Sequence, residues 1–249
     1  MCKVVLLAYT QLNPNAPLPE EISRGSSTEQ EALIEYAARI CYRSMDRMGS
    51  NPTFILQRMK EGHEDIIEHI SATFLFDGCS RACTHQLVRH RLASYSQESQ
   101  RYVDLDKGGD LSEDPSPEEL YDFFVIPPEL RPFDRNNETL MAFLDDLKSA
   151  VRSYRAARAA GLRKEDARFL LPNATPTRIV VSMNLRSWRH FIALRAHPSA
   201  QWEIREIAKE VLEELHRLAP SVFQDQVERF GISNYSAPRP WDADGADTR

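Results

Sequence analysis

Three short apolar runs, separated by longer amphipathic stretches, most constrain how this chain can fold. The runs cover residues 3–9, 70–76 and 178–183, and each has the length and composition of a β-strand. Between them, apolar residues recur at helical spacing, most clearly over 137–161 and 199–218. Because the strands are not consecutive, this order predicts one α/β (α+β) domain in which helices flank a central sheet.

The domain is expected to span residues 1–235, followed by a loose C-terminal tail over 236–249. Thr28 followed by Glu31 predicts a capping box at the start of an early helix. The segment 103–122, called here the acidic segment, has eight acids and one lysine. Because it offers little apolar surface for anchoring, we expect it to be an exposed loop.

Composition narrows the class of protein. The 249 residues include 31 Lys and Arg against 37 Asp and Glu, so the formal net charge is −6. This balance argues against general nucleic-acid binding or binding to a membrane surface. No apolar run approaches the roughly 20 residues of a membrane span, and the apolar start is too short for a signal peptide. The four cysteines form no disulfide framework. We therefore expect a cytoplasmic protein.

Several sequence patterns for nucleotide and metal binding are missing. None of the nine glycines lies in G-x-G-x-x-G or G-x-x-x-x-G-K-[ST], and H-E-x-x-H and C-x-x-C do not occur. A nucleotide bound by this chain must therefore be held by side chains and helix ends rather than by a glycine-rich loop.

A cationic stretch from Arg81 to Arg101 carries most of the chemical information. It contains four arginines, two histidines and one acid, Glu98, so its formal charge is +3 while the rest of the chain carries −9. Serine and glutamine residues within it can orient a polar ligand. Since arginine can bind phosphate or carboxylate through two parallel hydrogen bonds, the stretch predicts binding of a phosphorylated small molecule.

A second cationic set occurs later in the chain, which indicates a large polyanionic ligand or two ligands that meet. Its members are Arg168, Arg178, Arg186, Arg189, His190 and Arg195. The alternative is that the arginines of the first stretch form surface salt bridges with the acidic segment, as most charge runs do.

Three other functions fit parts of the sequence less well. A metal-dependent hydrolase would need ligands among His63, His69, Cys79, Cys83 and His85, but C-x3-C-x-H is not a common zinc spacing, so we expect no metal. A nucleic-acid module would need stacking aromatics, and the cationic stretch has one, Tyr95. The phosphatase spacing C-x5-R from Cys41 to Arg47 lacks the glycines that such a loop needs.

The pattern Arg89-His90-Arg91, seven residues and then Ser99 resembles the RHR-x7-S signature of flavin-dependent thymidylate synthases. Arg101-Tyr102 continue the match. Further similar segments lie at 63–69, 167–172, 184–187, 194–195 and 200–204. These ordered segments extend the resemblance over about residues 38–204.

The resemblance implies a homotetramer with an α/β fold and FAD bound where subunits meet. It implies conversion of dUMP to dTMP, with methylenetetrahydrofolate as one-carbon donor and tetrahydrofolate as product. NADPH is then the reductant of the flavin, whose hydride completes the methyl group.

The resemblance also assigns residues. Those implied to hold dUMP are Gln86, Arg89, Gln97, Ser99, Gln100, Arg101, Arg168 and Arg195. Arg195 resembles the catalytic arginine that contacts the uracil ring. Those implied to contact FAD are His63, Asp65, Arg89, His90, Arg91, Gln97, Asn184, Leu185, Arg186 and His190.

Three positions depart from the family pattern. Gln97 stands where Glu is common, Asp65 where Thr or Ser is common, and His190 where Asn is frequent. None of the four cysteines follows a proline, as the nucleophile of the flavin-independent synthases does. We therefore expect no protein thiol to attack the substrate.

Overall fold

The computed structural model describes residues 2–24, 28–134 and 137–231, so the tail expected over 236–249 lies outside the described residues. The strands are β1 (Lys3–Tyr9), β2 (Ser71–Ser80), β3 (Ser94–Gln97) and β4 (Pro176–Asn184). The helices are α1 (Glu29–Ile40), α2 (Asn51–Lys60), α3 (Arg81–Leu87), α4 (Pro117–Phe123), α5 (Glu138–Ala159), α6 (Lys164–Ala167), α7 (Leu185–Arg195), α8 (Trp202–Leu218) and α9 (Pro220–Phe230). The mixture of helices with one small sheet agrees with the predicted fold class.

The chain divides into two compact units, each made of two separated segments. The first unit consists of the residues up to Ala8 together with Ala72–Met183. The second unit consists of Tyr9–Ser71 together with the described residues from Asn184 onward. The sequence does not predict this division, because none of the three crossing points, after Ala8, Ser71 and Met183, lies in a run of glycine or proline.

The first unit contains most of a four-stranded sheet with the strand order β1-β2-β4-β3. Strand β3 pairs antiparallel with β4, with Gln97 opposite Ile179. In β2 and β4 alternate side chains are fully buried, as in Phe74 and Phe76, which explains their apolar pattern. Strand β2 runs past the end of the apolar run at Phe76 and through Gly78, whose φ of 82° is readily adopted by glycine.

The acidic segment is not the unanchored loop that its composition predicts. It contains a 3-10 helix, Leu105–Gly108, and helix α4. The Ser116 side chain accepts a hydrogen bond from Glu119 N, and the Glu119 carboxylate accepts one from Ser116 N, which forms a capping box. An apolar cluster that includes part of α5 anchors the segment; its buried members are Leu111, Leu120, Phe124, Ile126, Leu140, Leu144, Leu147 and Val151.

The carboxylates of the acidic segment pair with the cations of α5. Asp104 lies 3.2 Å from Arg158 and Asp106 lies 2.5 Å from Arg155. Asp114 contacts both Lys148 and Arg152 on the same helix. In the described part of the chain, no salt bridge joins this segment to the stretch from Arg81 to Arg101, so the alternative that those arginines neutralise it is wrong.

The second unit is helical. Helix α8 packs against α7 and α9, and α1 packs against α2. Thr28 caps α1 by accepting a hydrogen bond from Glu31 N, which is one half of the expected capping box. The Glu31 carboxylate accepts a hydrogen bond from Ser221 N at 2.6 Å, which ties α1 to the start of α9. The glutamate therefore joins two helices.

Candidate functional site

The Arg89-His90-Arg91 triplet lies in a turn at the end of α3. Backbone N–H groups of Arg89 and His90 donate to the carbonyls of Gln86 and Leu87, which continues the helical winding. The Tyr95 hydroxyl, on β3, lies 2.9 Å from Leu87 O and 2.7 Å from His90 O. The Tyr95 hydroxyl thus connects both ends of the turn to β3 by hydrogen bonds.

Two exposed guanidinium groups extend from this turn. Arg89 and Arg91 are exposed, and no carboxylate in the part of the chain that the structure describes lies within 4.0 Å of either. Nε of Arg89 donates to His85 O at 3.2 Å, which fixes the direction of the side chain. Such cations suit an anionic ligand because they have no carboxylate partner, among the described residues, to give up.

The amide of Gln97 is held by two threonines. Its Nε2 lies 3.1 Å from Thr84 Oγ1 and 3.4 Å from Thr177 Oγ1, and both threonines are buried. An amide nitrogen donates in these bonds, whereas a glutamate at this position would have to accept them. Gln97, which stands where Glu is common in the family, therefore fits the two threonine hydroxyl groups beside it.

Three arginines, Arg81, Arg101 and Arg168, form what we call the arginine cluster. Nε of Arg101 lies 3.2 Å from the Glu165 carboxylate, and Nε of Arg168 donates to Glu165 O at 3.0 Å. Burial, and then repulsion from Arg168, lower the pKa of the Arg81 guanidinium. The fold thus brings together the predicted pair Arg101 and Arg168, which lie far apart in sequence.

Arg81 is the residue that the sequence assignment missed. The resemblance gives it no role, although the sequence places it in the cationic stretch. Among the residues that the structure describes, Glu165 is the one carboxylate within 4.0 Å of these three guanidinium groups, and Glu98 attracts Arg81 from a greater distance. This local excess of positive charge is the feature expected of a phosphate site.

The loop that carries Ser99 and Gln100 is a tight turn beside the cluster. Ser99 Oγ accepts a hydrogen bond from Arg101 N at 3.3 Å, and Ser99 O accepts from the N–H groups of Tyr102 and Val103. Gln100 lines a cavity of about 590 Å³ whose wall also includes Glu98. The serine therefore orients the backbone that presents Arg101.

In the second unit, helix α7 and its N-cap residue carry four of the predicted flavin residues. Asn184 caps it by accepting from Ser187 N, and Leu185 is fully buried with its N–H bonded to Ile70 O. Arg186 lies 2.6 Å from the Glu68 carboxylate, and this hydrogen bond raises the pKa of Arg186. His190 is exposed on the same helix. Because the Leu185 side chain is in the core, it cannot itself line a ligand site.

The remaining predicted residues of this unit lie beside α7 or at its C-terminal end. His63 and Asp65 are exposed, at the start of a 3-10 helix, Glu64–His69, that packs on α7. Arg195 is the last residue of α7 and is half-buried. The structure thus brings His63, Asp65 and the α7 residues into one unit, and the residues from Gln86 to Arg101 with Arg168 into the other.

Two of the cysteines that the sequence analysis considered as metal ligands lie in the core. Cys79 and Cys83 are fully buried, and the Cys79 thiol donates to Thr177 O at 3.6 Å. Over residues 2–24, 28–134 and 137–231, no three His, Cys, Asp or Glu side chains are grouped so as to hold a metal ion. The buried thiols behave as small core residues.

Residues 25–221 match the family model described as thymidylate synthase complementing protein. The chain is 41% identical to the flavin-dependent thymidylate synthase of Pyrococcus horikoshii over 217 residues, covering 86% of this chain and 79% of that protein. It is 37% identical to the enzyme of the same name from Corynebacterium glutamicum, covering 96% and 95%.

The chain belongs to the flavin-dependent thymidylate synthase family. This confirms the family expected from the sequence, and with it the expectation of an enzyme. A crystal structure of thymidylate synthase X from Helicobacter pylori with FAD and dUMP superposes with a TM-score of 0.67 at 22% identity, covering 92% of this chain and 100% of that one. This likeness confirms the predicted fold of a flavin-dependent thymidylate synthase.

Among the residues that the structure describes, no helix combines the length and the apolar composition needed to cross a bilayer.

Proposed function

We propose that this chain converts dUMP to dTMP, with methylenetetrahydrofolate as one-carbon donor and NADPH as reductant. The observation that carries the proposal is the arginine cluster, in which Arg101 and Arg168 meet at Glu165 in a member of this family. The relative from Helicobacter pylori was crystallised with FAD and dUMP, which is the ligand pair that these cations suit.

The arginine cluster suits the phosphate of dUMP. A nucleotide monophosphate carries about −2 near neutral pH, and removing it from water requires paired cations. Arg101 and Arg168 supply two, Arg81 adds a third, and the turn at Ser99 adds hydroxyl and amide donors. We assign Gln86, Arg89, Gln97 and Gln100 to the sugar and base of the same ligand.

Arg195 is assigned to the uracil ring. A guanidinium beside the pyrimidine stabilises negative charge that develops on the ring, as donors do in an oxyanion site. The fully buried Cys79 and Cys83 cannot reach a substrate, which supports a reaction without a protein nucleophile. The chain therefore binds and polarises the nucleotide.

FAD contacts are assigned within each unit by itself. In the first unit the exposed Arg89 and Arg91 suit the phosphates of FAD, and in the second unit the exposed Arg186 and His190 are assigned to the same ligand. Gln97 and Asn184 add polar contacts, and His63, Asp65 and His90 complete the assignment, with Leu185 through its backbone. When bound, FAD supplies the hydride that completes the methyl group.

A homotetramer is the assembly that we assign to this protein. Leu92 is 83% exposed, Tyr102 is 72% exposed and Phe169 is 83% exposed, and each adjoins a predicted ligand residue in sequence. Apolar side chains of this size in such positions are typical of surfaces that self-associate. Sedimentation of the purified protein at the mass of four chains supports this assembly, and a stable monomer contradicts it.

A cytoplasmic location fits the cysteines. Cys2, Cys41, Cys79 and Cys83 are all free thiols, as expected in a reducing compartment.

The visible absorption spectrum of the purified protein tests the function. We expect a flavin band that shifts when dUMP is added, and formation of dTMP when NADPH and methylenetetrahydrofolate follow. A protein without flavin after purification and after incubation with FAD contradicts the proposal.

A further inference from the structure

A second cationic cavity lies in the second unit, beyond the C-terminal end of α7. It has a volume of about 410 Å³ and is lined by His197, Arg205, Lys209, Arg229 and Phe230, among others. Its lining starts at Ala196, directly after Arg195. None of these residues belongs to the sites assigned above.

The cations of this cavity are only weakly neutralised. Glu206 is the nearest acid to two of them, at 3.8 Å from Arg205 Nε and 3.6 Å from Lys209 Nζ. These separations exceed the 2.7–2.9 Å of a charge-assisted hydrogen bond. Arg229 has no carboxylate within 4.0 Å among the described side chains; its guanidinium lies 5.2 Å from the Phe230 ring centroid.

Two donors of the cavity are oriented in advance. Nη1 of Arg205 donates to Pro198 O at 2.8 Å, which holds the guanidinium in place. Nδ1 of His197 accepts from Ser199 N at 3.2 Å, so in the neutral ring the proton is on Nε2. His197 therefore offers an N–H donor beside three full positive charges. The carbonyl end of α7 opposes an anion with only about half a negative charge.

From this arrangement we infer that the cavity binds a doubly charged oxyanion group of a co-substrate. The inference rests on the proposed function, because that function supplies two co-substrates with such a group. Methylenetetrahydrofolate ends in glutamyl carboxylates next to an aromatic ring, and NADPH carries a 2′-phosphate on its adenosine. Arginine, lysine and an imidazole N–H suit either group, and Phe230 provides an apolar wall for the adjoining ring.

The place of the cavity along the chain supports this inference. His190, assigned to the flavin, lies six residues before Ala196, so the helical rise separates them by about 9 Å along the axis of α7. A co-substrate that reacts beside the flavin can therefore extend a charged end to the cavity.

Calorimetric titration of the full-length chain with small probes tests the site. One probe is p-aminobenzoyl-triglutamate, with p-aminobenzamide, which has no carboxylate, as its control; the other is 2′,5′-ADP, with adenosine, which has no phosphate, as its control. The variants are Arg229→Gln and Lys209→Gln, on exposed or partly exposed side chains. Arg217→Gln is the matched control, since Arg217 also lies on α8 and pairs with Glu214.

We expect one charged probe to bind more tightly than its control, with a Kd raised about 10-fold by each cavity variant and unchanged by Arg217→Gln. Binding of the glutamyl probe identifies folate as the source, and binding of 2′,5′-ADP identifies NADPH. Failure of both probes at millimolar concentration, or equal binding by wild type and both cavity variants, overturns the inference. The flavin spectrum and its response to dUMP are read separately, so loss of those signals rejects the proposed function rather than this site.

Discussion

Nε of Arg101 lies 3.2 Å from Oε2 of Glu165, so a predicted phosphate ligand is paired with a carboxylate of its own chain. The same glutamate also pairs with Arg163 at 2.7 Å and accepts through its carbonyl from Arg168. An incoming phosphate must compete with this carboxylate for Arg101. Glu165 is thus both an organiser of the arginine cluster and a competitor of its ligand.

Replacement of Glu165 by Gln should tighten dUMP binding. The substitution removes the competing charge but keeps the backbone carbonyl that orients Arg168, and we expect the Kd to fall about 2- to 5-fold, a modest change because the pair is partly exposed. Calorimetric titration with dUMP measures it. A weaker affinity in this variant means that the carboxylate is needed to hold Arg101 in place.

Removal of the Arg101 guanidinium should weaken dUMP binding by about 10-fold or more, since a charge-assisted contact to phosphate is worth about 1.5–3 kcal/mol. Arg101→Ala is compared with Arg163→Ala, which removes another partner of Glu165 from a more exposed position. The same titration applies. Wild-type affinity in Arg101→Ala places the phosphate elsewhere.

Tyr95→Phe should destabilise the Arg89-His90-Arg91 turn. The variant loses the hydroxyl that donates to the carbonyls of Leu87 and His90, at a cost of about 1 kcal/mol in the free energy of unfolding. Because the turn presents Arg89 and Arg91, we expect weaker FAD binding as well. Tyr102→Phe, on an exposed ring, is the control and should change neither quantity.

Tyr95 also predicts a dependence of stability on pH. Burial raises the pKa of Tyr95 to about 12, above its ordinary value near 10. Its contribution is therefore complete below pH 10 and is lost as the pH rises toward 12, because the unfolded chain releases the proton first. The difference in unfolding free energy between wild type and Tyr95→Phe should shrink over this range. A constant difference up to pH 12 contradicts the assignment.

Arg155 should be more important to stability than its neighbour Arg152. The Arg155 side chain is 21% exposed, pairs with Asp106 and donates to the carbonyls of Ser112 and Glu113. We expect Arg155→Ala to cost about 1–2 kcal/mol and Arg152→Ala, on a 60% exposed side chain, less than about 0.5 kcal/mol. Urea unfolding measures both. Equal costs would show that the backbone contacts of Arg155 contribute nothing.

Single replacement of any cysteine should leave turnover largely intact. Cys79→Ala and Cys83→Ala remove fully buried thiols and should cost about 1–2 kcal/mol of stability, whereas Cys41→Ala, at an exposed position, should cost little. Turnover per flavin-loaded chain is the quantity to compare. Its loss in a folded, flavin-loaded variant contradicts a reaction without a protein nucleophile.

Periodicity predicted the long elements well because burial follows a repeating pattern there. Helix α5 was expected over 137–161 and spans Glu138–Ala159, and the three apolar runs became β1, β2 and β4. Strand β3 was missed because Ser94–Gln97 is mostly polar and is stabilised as a strand by pairing with β4. The anchoring of the acidic segment was missed because Leu111 and Leu120 find their partners on a distant helix.

In the candidate site, too, the sequence predicted the residues with a local signal and missed the contacts between distant residues. Charge composition identified the stretch from Arg81 to Arg101 as a ligand site, and the family resemblance named most of its residues. Contacts between distant residues, such as Glu165 with Arg101 and Thr177 with Gln97, depend on tertiary packing and leave no local signal in the sequence. The role of Arg81 follows from its proximity to Arg168, which only the fold reveals.

The division of the chain into two interleaved units has a consequence for biosynthesis. Every residue of the first unit has been translated once Met183 emerges from the ribosome, so its sheet can close while the rest of the chain is still being made. The segment Tyr9–Ser71 must meanwhile wait for α7, α8 and α9 before it can bury its apolar face. A nascent chain paused after Met183 has emerged, but before α9 is made, therefore carries one finished unit. Its other unit still exposes apolar surface and requires protection from aggregation.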